Sequence, residues 1–409
     1  MRRADLAELD FTRIVKHGDT VAWGQACAEP QSLTERLMEQ RHGIGRFRVF
    51  LGTSFSPTVQ AEQADVIEFV GLGGTGSARR LTKAGVLDVL PLHMSTIDAL
   101  IRTGGLRIDV ALVQVARAAN GEYSLGLASD YIRTAIDGAR VVVAEVNDQV
   151  PVTRSVEPLR DDDIDVVVET SRPPVELAPA PFGDIERRIA EHAAAFIPER
   201  ATLQIGIGAI PDAVLAGLTD RRGLGVHSAV IGDRVADLME SGVVTNEHKE
   251  IDPGVTVTCL LIGTRRLYRF ADRNERILMS PTSRTHGLDV VSRLHRFIAL
   301  NSAVEVDLTG QVNAEAIGDD YVGLVGGQVD YMRAASASEG GCGIVAVPAS
   351  RIVARLSGPV TTARSDVGVI VTERGAADLR GATISERVKA MLAIADPAQR
   401  DALEGTVRA

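Results

Sequence analysis

Short apolar runs alternate with amphipathic stretches along the whole chain, and turn-forming residues separate them. The run LQI at 203–205 shows the pattern, because it ends at the glycine-rich stretch GIGAIP (206–211) and the amphipathic stretch DAVLAGL follows. Short apolar runs are typical of buried strands, and apolar residues three or four apart are typical of helices packed on a sheet. The alternation predicts an α/β fold.

The two halves of the chain resemble each other. VAWGQACAEPQSL (21–33) and LQIGIGAIPDAVL (203–215) both run from a strand through glycine and small residues to a proline and a helix. A second pair of segments, 109–126 and 301–318, alternates apolar and polar residues around a turn. Between the halves, residues 171–183 hold four of the sixteen prolines, which indicates an extended linker. The sequence predicts two similar open α/β domains, 1–175 and 176–409, with the ligand in a cleft between them.

Composition excludes several classes of protein. The 409 residues carry a net charge of −10, whereas a nucleic-acid-binding protein needs a basic face. The apolar runs are shorter than the ~18 residues of a membrane-spanning helix, so we expect no membrane segment. Charged residues occupy the start of the chain, where a signal peptide would be apolar, and this favours a cytoplasmic protein.

The cysteines and histidines give no support for a metal site. Cys27, Cys259 and Cys342 are odd in number and far apart, so they fit neither a disulfide framework nor a set of metal ligands. The eight histidines are scattered along the chain. We expect Cys27, although it lies in a turn, to be a small buried apolar residue rather than a catalytic thiol.

The stretch 206–211 is the strongest candidate for chemistry. Gly206 and Gly208 allow a sharp turn and a close approach to a ligand, and Pro211 suits the first helical position. A helix that begins there presents N–H groups to an anion or to a polarised carbonyl oxygen. The alternative is an ordinary strand-to-helix turn.

A second glycine-rich stretch, GLGGTG (71–76), matches the dinucleotide-binding pattern GxGxxG. However, it does not open a βαβ unit at the start of the chain, and Asp88 follows sooner than the ~20 residues expected for a ribose-binding acid. We therefore interpret it as a loop without a nicotinamide cofactor.

The remaining stretches are specific in combination: AEVN (144–147), AVEVDLTGQVNAEAIG (303–318) and GGQVD (326–330). With them the chain resembles the acetyl-CoA hydrolase/transferase family, close to its 4-hydroxybutyrate CoA-transferase branch, from about Val15 to Pro397. The resemblance implies two related open α/β domains, acyl-CoA as a substrate, no metal or nicotinamide cofactor, and a homodimer.

The resemblance also implies that acyl-CoA binds mainly in the second domain, at two glycine-rich turns. The residues expected to contact it are Gly206, Gly208, Ala209, Ile210, Pro211, Gly326, Gly327, Gln328 and Asp330. Gly326 and Gly327 permit a close approach, and Gln328 can donate and accept hydrogen bonds.

One segment departs from the family. The resemblance implies a glutamate nucleophile in a stretch written roughly HSE, whose carboxylate attacks the thioester. Here the stretch is HSAVI (227–231), so Ala229 stands at the glutamate position, and Arg234 stands where family members usually carry glycine. A methyl group cannot attack a thioester. We expect Ser228 and Ala229 to contact the substrate without forming a covalent intermediate.

Without that nucleophile we expect direct transfer of the acyl group from acyl-CoA to an amine, an alcohol or a similar acceptor. His227, two residues before Ala229, and His93, at a position where family members often carry histidine, are candidate general bases. Glu29 is a candidate replacement nucleophile, although nothing in the sequence marks it as activated. The alternatives are CoA transfer through another carboxylate, acyl-CoA hydrolysis, and a non-catalytic acyl-CoA-binding subunit.

Overall fold

The computed structural model describes residues 1–407, which form two compact units. Unit 1 comprises Met1–Ala178 and Thr258–Arg284, and unit 2 comprises Pro179–Val257 and the chain from residue 285 onward. The sequence places a single boundary near residue 175, whereas 258–284 folds with the first unit rather than with the second. The proline-rich segment 171–183 carries neither helix nor strand, as expected for a linker.

Unit 1 begins with ten strands and four helices. The strands are β1 (Arg2–Arg3), β2 (Thr20–Trp23), β3 (Phe47–Leu51), β4 (Ile67–Gly71), β5 (Leu87–Val89), β6 (Val110–Arg117), β7 (Tyr123–Ser124), β8 (Val141–Asn147), β9 (Arg154–Ser155) and β10 (Val166–Thr170). The helices are α1 (Gln31–Ile44), α2 (Arg79–Lys83), α3 (Met94–Arg102) and α4 (Tyr131–Gly138).

The chain then enters unit 2 and returns once to unit 1. The next elements are α5 (Asp184–Ala194), β11 (Thr202–Ile205), α6 (Ala209–Ala216), β12 (Gly225–Ile231) and α7 (Asp233–Glu240), followed by β13 (Thr256–Leu261), α8 (Arg265–Ala271), β14 (Ile277–Met279) and α9 (Thr282–Thr285). The two boundaries of the returning segment 258–284 fall within β13 and within α9.

The last part of unit 2 mixes helices with short strands. It contains α10 (Leu288–Val291), β15 (Phe297–Ser302), β16 (Glu305–Asp307), β17 (Val312–Asn313), β18 (Ala316–Ile317), β19 (Asp320–Tyr321), α11 (Gln328–Ala337), β20 (Cys342–Ala346), β21 (Ile352–Val353), β22 (Val369–Thr372), β23 (Gly375–Asp378), α12 (Ile384–Ile394) and α13 (Pro397–Val407).

The main sheet of unit 1 has the order β1-β10-β8-β6-β2-β3-β4-β5, and its strands are parallel. Along β2, Val21 and Trp23 pack into the buried cluster on one face while Ala22 packs into the cluster on the other. Both faces are therefore covered, as parallel sheets require. The strand order reverses between β2 and β6, which places the end of β2 at a switch point of the kind where α/β sheets bind ligands.

Unit 2 repeats this arrangement. Its strands follow the order β23-β22-β20-β15-β11-β12, and only β23 is antiparallel to its neighbour. The order reverses between β11 and β15, so the end of β11 is a switch point like the end of β2. The segments 21–33 and 203–215, which the sequence pairs, therefore occupy equivalent positions in two α/β units, and the α/β fold prediction is confirmed.

The second pair of segments matches less well. In unit 1, β6 belongs to the main sheet and β7 pairs with it antiparallel. In unit 2 the corresponding segment forms β16 and β17, which lie with β21 in a separate three-stranded sheet. The similarity between the halves is strongest at the two switch points.

Candidate functional site

The glycine-rich stretch 206–211 connects β11 to α6 at the switch point of unit 2. Gly208 has φ 122° and ψ 178°, a conformation that is essentially restricted to glycine. A Cβ atom on Gly206 or on Gly208 would meet no atom within 4 Å, so both residues border open space. Because both residues are glycines, no side chain of theirs keeps a ligand away from the backbone of this turn.

Helix α6 begins at Ala209, with Gly208 as its N-cap. The first backbone hydrogen bond of the helix runs from the Asp212 N–H to the Gly208 carbonyl at 2.9 Å. The N–H groups of Ala209 and Ile210 precede that bond and point out of the helix end, where they suit an anion or a carbonyl oxygen. Pro211 is the third helical residue rather than the predicted first one, but it still lies in the turn where a missing N–H costs nothing.

Strand β12 holds the segment that departs from the family, and Ser228 anchors it to β11. The Ser228 hydroxyl donates to the Ile205 carbonyl at 2.9 Å and accepts from the Ile205 N–H at 3.2 Å. Ser228 is fully buried, so its shown role is to hold the strands together immediately before the glycine turn. Its predicted contact with the substrate stays a prediction.

Because β12 is extended over Gly225–Ile231, His227 and Ala229 lie on the same face of the strand. His227 is fully buried. Ala229 is half-buried and packs against the apolar cluster that contains Phe297 and Tyr331. A base that acts beside position 229 must lie on the same face of the strand as residue 229, and His227 meets this condition. The catalytic role of His227 stays a prediction.

The glycine-containing stretch 326–330 leads into helix α11, and Gly327 is the N-cap of that helix. Gln328 is 7% exposed, and its Nε2 atom makes no hydrogen bond with any described residue. A buried amide N–H₂ group without an acceptor is costly, and a ligand carbonyl or phosphate oxygen would satisfy it. Asp330 lies in the first turn of the same helix.

A buried histidine that the sequence does not mark lies against this turn. His286 is 2% exposed, and its Nδ1 is 2.9 Å from the Thr285 hydroxyl. A Cβ atom on Gly327 would come within 2.6 Å of Nε2 of His286, so only glycine allows this approach. The ring of Tyr331 packs on His286 with centroids 4.7 Å apart. No motif surrounds His286, and sequence reasoning had no signal with which to find it.

The other two catalytic candidates belong to unit 1. His93 is the N-cap residue of α3, and its buried Nδ1 makes no hydrogen bond with any described residue. Glu29 is 1% exposed and accepts hydrogen bonds from the hydroxyls of Thr34 (2.8 Å), Ser56 (2.6 Å) and Ser54 (3.5 Å). A carboxylate held by three donors is well stabilised, which disfavours nucleophilic attack.

Glu305 and Glu315, the carboxylates of the segment 303–318 that resembles the family, also accept hydrogen bonds. Glu305 accepts from Asn313 and from the backbone and hydroxyl of Ser357; burial alone would raise its pKa, but these bonds outweigh burial and lower it. Glu315 accepts from Thr361 at 2.7 Å and from the Tyr321 hydroxyl. Burial and the neighbouring Glu315 raise the pKa of Tyr321. Both acids therefore have structural partners within the fold.

The remaining observations concern the cysteines, metal ligands, membrane helices and the stretch 71–76. The three cysteines are buried and form no disulfide. No group of three histidine, cysteine or acidic side chains among residues 1–407 could hold a metal ion. Within the same residues, no helix is long and apolar enough to cross a bilayer. The stretch 71–76 leads from β4 toward α2, with Gly76 packed against the Ser54 carbonyl.

Two family models and several known proteins match the chain. The acetyl-CoA hydrolase/transferase N-terminal domain matches residues 6–179, and the C-terminal domain of the same name matches residues 263–407. The 4-hydroxybutyrate coenzyme A transferase of Clostridium kluyveri is 36% identical over 413 residues, covering 97% of this chain and 95% of that protein. A succinyl-CoA:acetate/propanoyl-CoA:succinate CoA transferase of Fasciola hepatica is 37% identical over 80% of this chain and 71% of its own length.

A solved structure matches the whole chain. The crystal structure of RipA from Yersinia pestis superposes with a TM-score of 0.94 at 28% identity, covering 100% of this chain and 97% of that one. The fold, the two matched domains and the full-length relatives agree, and they confirm the resemblance that the glycine-rich stretches indicate. The chain belongs to the acetyl-CoA hydrolase/transferase family.

Proposed function

We propose that this chain binds acyl-CoA in unit 2 and transfers the acyl group directly to a second substrate. The observation that carries the proposal is Ala229, which stands in β12 where the family resemblance places a glutamate nucleophile. The relatives support acyl-CoA as the donor, since the protein from Clostridium kluyveri is named as a coenzyme A transferase.

The acyl-CoA is held by the two glycine-rich turns. The thioester carbonyl oxygen accepts from the N–H groups of Ala209 and Ile210, which stabilises the negative charge that develops there during attack. Gln328 donates its unused Nε2–H to the pantetheine arm or to another oxygen of the donor. The open space beside Gly206 and Gly208 supports this arrangement.

The acceptor attacks the thioester carbon directly. A new bond forms between the acceptor atom and the acyl carbon, the carbon–sulfur bond breaks, and CoA leaves as a thiolate. A neutral imidazole removes the acceptor's proton, and His227 or His93 is the candidate base. The hydrogen bonds of Glu29, Glu305 and Glu315 support the absence of a replacement nucleophile, since each carboxylate already has structural donors.

A second candidate function is CoA transfer between a thioester and a carboxylic acid. The name of the Fasciola hepatica relative favours it, because that name gives succinyl-CoA, acetate, propanoyl-CoA and succinate as reactants. This reaction normally proceeds through an enzyme-bound acyl anhydride and thioester, so in this chain it requires a carboxylate other than residue 229.

One experiment separates the two candidates. The protein is incubated with a panel of acyl-CoA donors and with amine, alcohol or carboxylate acceptors, and the small molecules and the intact protein are analysed by mass spectrometry. Direct transfer gives new acyl amides or esters and an unmodified protein. A CoA transferase gives a new thioester and an intermediate that hydroxylamine or borohydride traps. If the protein binds acyl-CoA tightly but gives no product with any acceptor, both candidates are wrong and the protein is a non-catalytic acyl-CoA-binding subunit.

The two candidate bases are tested by substitution. We expect His227→Gln or His93→Gln to lower the transfer rate by about 10²- to 10⁴-fold, the usual contribution of a general base. His42→Gln is the matched control, because His42 lies on helix α1, is exposed and pairs with Asp65. If the double variant with both His227 and His93 replaced keeps the wild-type rate, the assignment of the base is wrong.

A further inference from the structure

Unit 1 contains a pocket of about 650 Å³ at the carboxyl ends of β6, β8 and β10. The strand ends contribute Arg117, Asn147 and Glu169 to its wall, and the loop 148–152 and helix α8 complete it. The volume lies in the range of small-molecule sites, and α/β sheets bind ligands at the carboxyl ends of their strands. The residues of the glycine-rich turns in unit 2 do not line this pocket.

Three arginines from one stretch of chain face the pocket. Arg265, Arg269 and Arg273 follow one another at intervals of four residues, a spacing that keeps Arg265 and Arg269 on the same face of α8, about 6 Å apart along its axis. Arg273, just past the helix, has a left-handed backbone (φ 51°), and its N–H donates to the Val152 carbonyl at 2.8 Å. This bond fixes the end of the arginine row to the loop 148–152.

The guanidinium groups of this row are available to a ligand. Arg269 has no ion pair or hydrogen bond with the described residues. Nε of Arg265 is 3.8 Å from a carboxylate oxygen of Glu176, and Nε of Arg273 is 3.9 Å from a carboxylate oxygen of Asp272. Both distances exceed that of a hydrogen bond. Planar guanidinium groups with unused N–H donors suit carboxylate or phosphate oxygens.

The acidic residues of the pocket, in contrast, are mostly engaged. Glu169 binds Arg117 at 2.7 Å, Glu176 accepts from the Arg265 backbone N–H at 2.7 Å, and Asp272 accepts from the Val152 N–H at 2.8 Å. These bonds occupy carboxylate oxygens within the protein. Asp148 is the remaining acidic residue of the lining. The donors of the three guanidinium groups outnumber the acceptors that are left, which favours an anionic ligand.

The rest of the wall indicates that the anion is organic. Val146, Val150, Pro151 and Pro174 line the pocket, and so does the ring of Tyr268, whose hydroxyl donates to the Val175 carbonyl at 2.6 Å. Apolar lining with a few convergent charged groups is typical of sites for small organic molecules.

We propose that this pocket binds a small organic anion with two carboxylate or phosphate groups joined by a short carbon chain. Each charged group is held by neighbouring arginines of the row, and the carbon chain packs against the apolar wall. The site is separate from the acyl-CoA turns of unit 2, and the proposal stands whether or not the proposed acyl transfer is correct.

Calorimetric titration of the full-length protein without acyl-CoA tests the proposal. The probes are succinate for the carboxylate form of the ligand and pyrophosphate for the phosphate form, with sodium chloride at matched ionic strength as the blank. Tighter binding of succinate assigns the site to dicarboxylates, and tighter binding of pyrophosphate assigns it to phosphates.

Arg269→Gln is the test variant, and Arg266→Gln is its control. Both residues are exposed on helix α8 and both changes remove one positive charge, but Arg266 does not line the pocket. We expect Arg269→Gln to weaken binding by about ten- to a hundredfold, the range for a lost charge-assisted hydrogen bond, and Arg266→Gln to leave it unchanged. Binding of neither probe, or equal weakening in the two variants, overturns the proposal. Circular dichroism verifies that both variants are folded.

Discussion

Replacing Gly208 by alanine tests whether the turn after β11 depends on its backbone conformation. Gly208 has φ 122° and ψ 178°, and placing a residue with a side chain in such a conformation costs about 1–3 kcal/mol. No atom lies within 4 Å of the position that the new Cβ would take, so the cost is conformational and not steric. For a unit of this size, each kcal/mol corresponds to about 2–4 °C in the melting temperature.

Gly206 provides a matched control in the same turn. Its Cβ position is also open, but its φ lies outside the left-handed region. Gly206→Ala should therefore change the free energy of unfolding by less than about 1 kcal/mol, and reduced freedom of the unfolded chain favours a small gain. Urea denaturation gives the two unfolding free energies, and calorimetry gives the affinity for acyl-CoA.

The expected result is a loss of about 1–3 kcal/mol in Gly208→Ala only, together with weaker acyl-CoA binding in that variant. Weaker binding follows because the strained residue moves the N–H groups at the start of α6. Equal stability of the two variants would show that the turn relaxes without cost and would refute the reasoning. Unchanged acyl-CoA affinity in a destabilised Gly208→Ala would show that the ligand does not use this turn.

Three further changes have defined outcomes. Burial raises the pKa of Asp130 from 3.8 to about 6, so ionisation of this carboxyl group opposes folding. About 3 kcal/mol of the free energy of unfolding is therefore lost as the pH rises from about 4 through 6. In Asp130→Asn, urea denaturation at a series of pH values should no longer show this loss. Glu29→Gln should lower the free energy of unfolding by about 1–3 kcal/mol in the same assay, because the hydroxyl groups that donate to Glu29 lose a carboxylate acceptor. The turnover of the folded enzyme should stay unchanged. A loss of turnover would instead indicate that Glu29 is a catalytic carboxylate. Ala229→Glu should produce CoA transfer from acyl-CoA to acetate, detected as acetyl-CoA, and its absence would place residue 229 away from the thioester.

The position of the glycine turns could be predicted from the sequence because their causes are local. An apolar run that ends in glycine and small residues specifies a strand followed by a turn, and a following amphipathic stretch specifies a helix. The same segments therefore occupy the switch points of both sheets. Glu305 could also be interpreted as structural, since it lies in the alternating segment 301–318, whereas the role of Glu315, which follows the turn at 309–310, is ambiguous in the sequence.

Features that depend on distant partners could not be predicted. The run around Cys259 has the pattern of a core strand, but nothing in the run indicates that residues 258–284 belong with the first unit. His286 reaches Gly327 only through the fold, across some forty residues of chain.

The return of residues 258–284 to unit 1 has a consequence for synthesis. The Arg265 N–H binds Glu176, the Ser283 N–H binds Asp98, and β14 pairs with β9, so the first unit lacks these contacts until the ribosome has released residue 284. A fragment that ends at Ala178 omits them entirely. Domains generally fold as units during translation, with the N-terminal one first. Here the second unit is already partly translated when the first becomes complete, and expression of residues 1–178 alone should give an insoluble product.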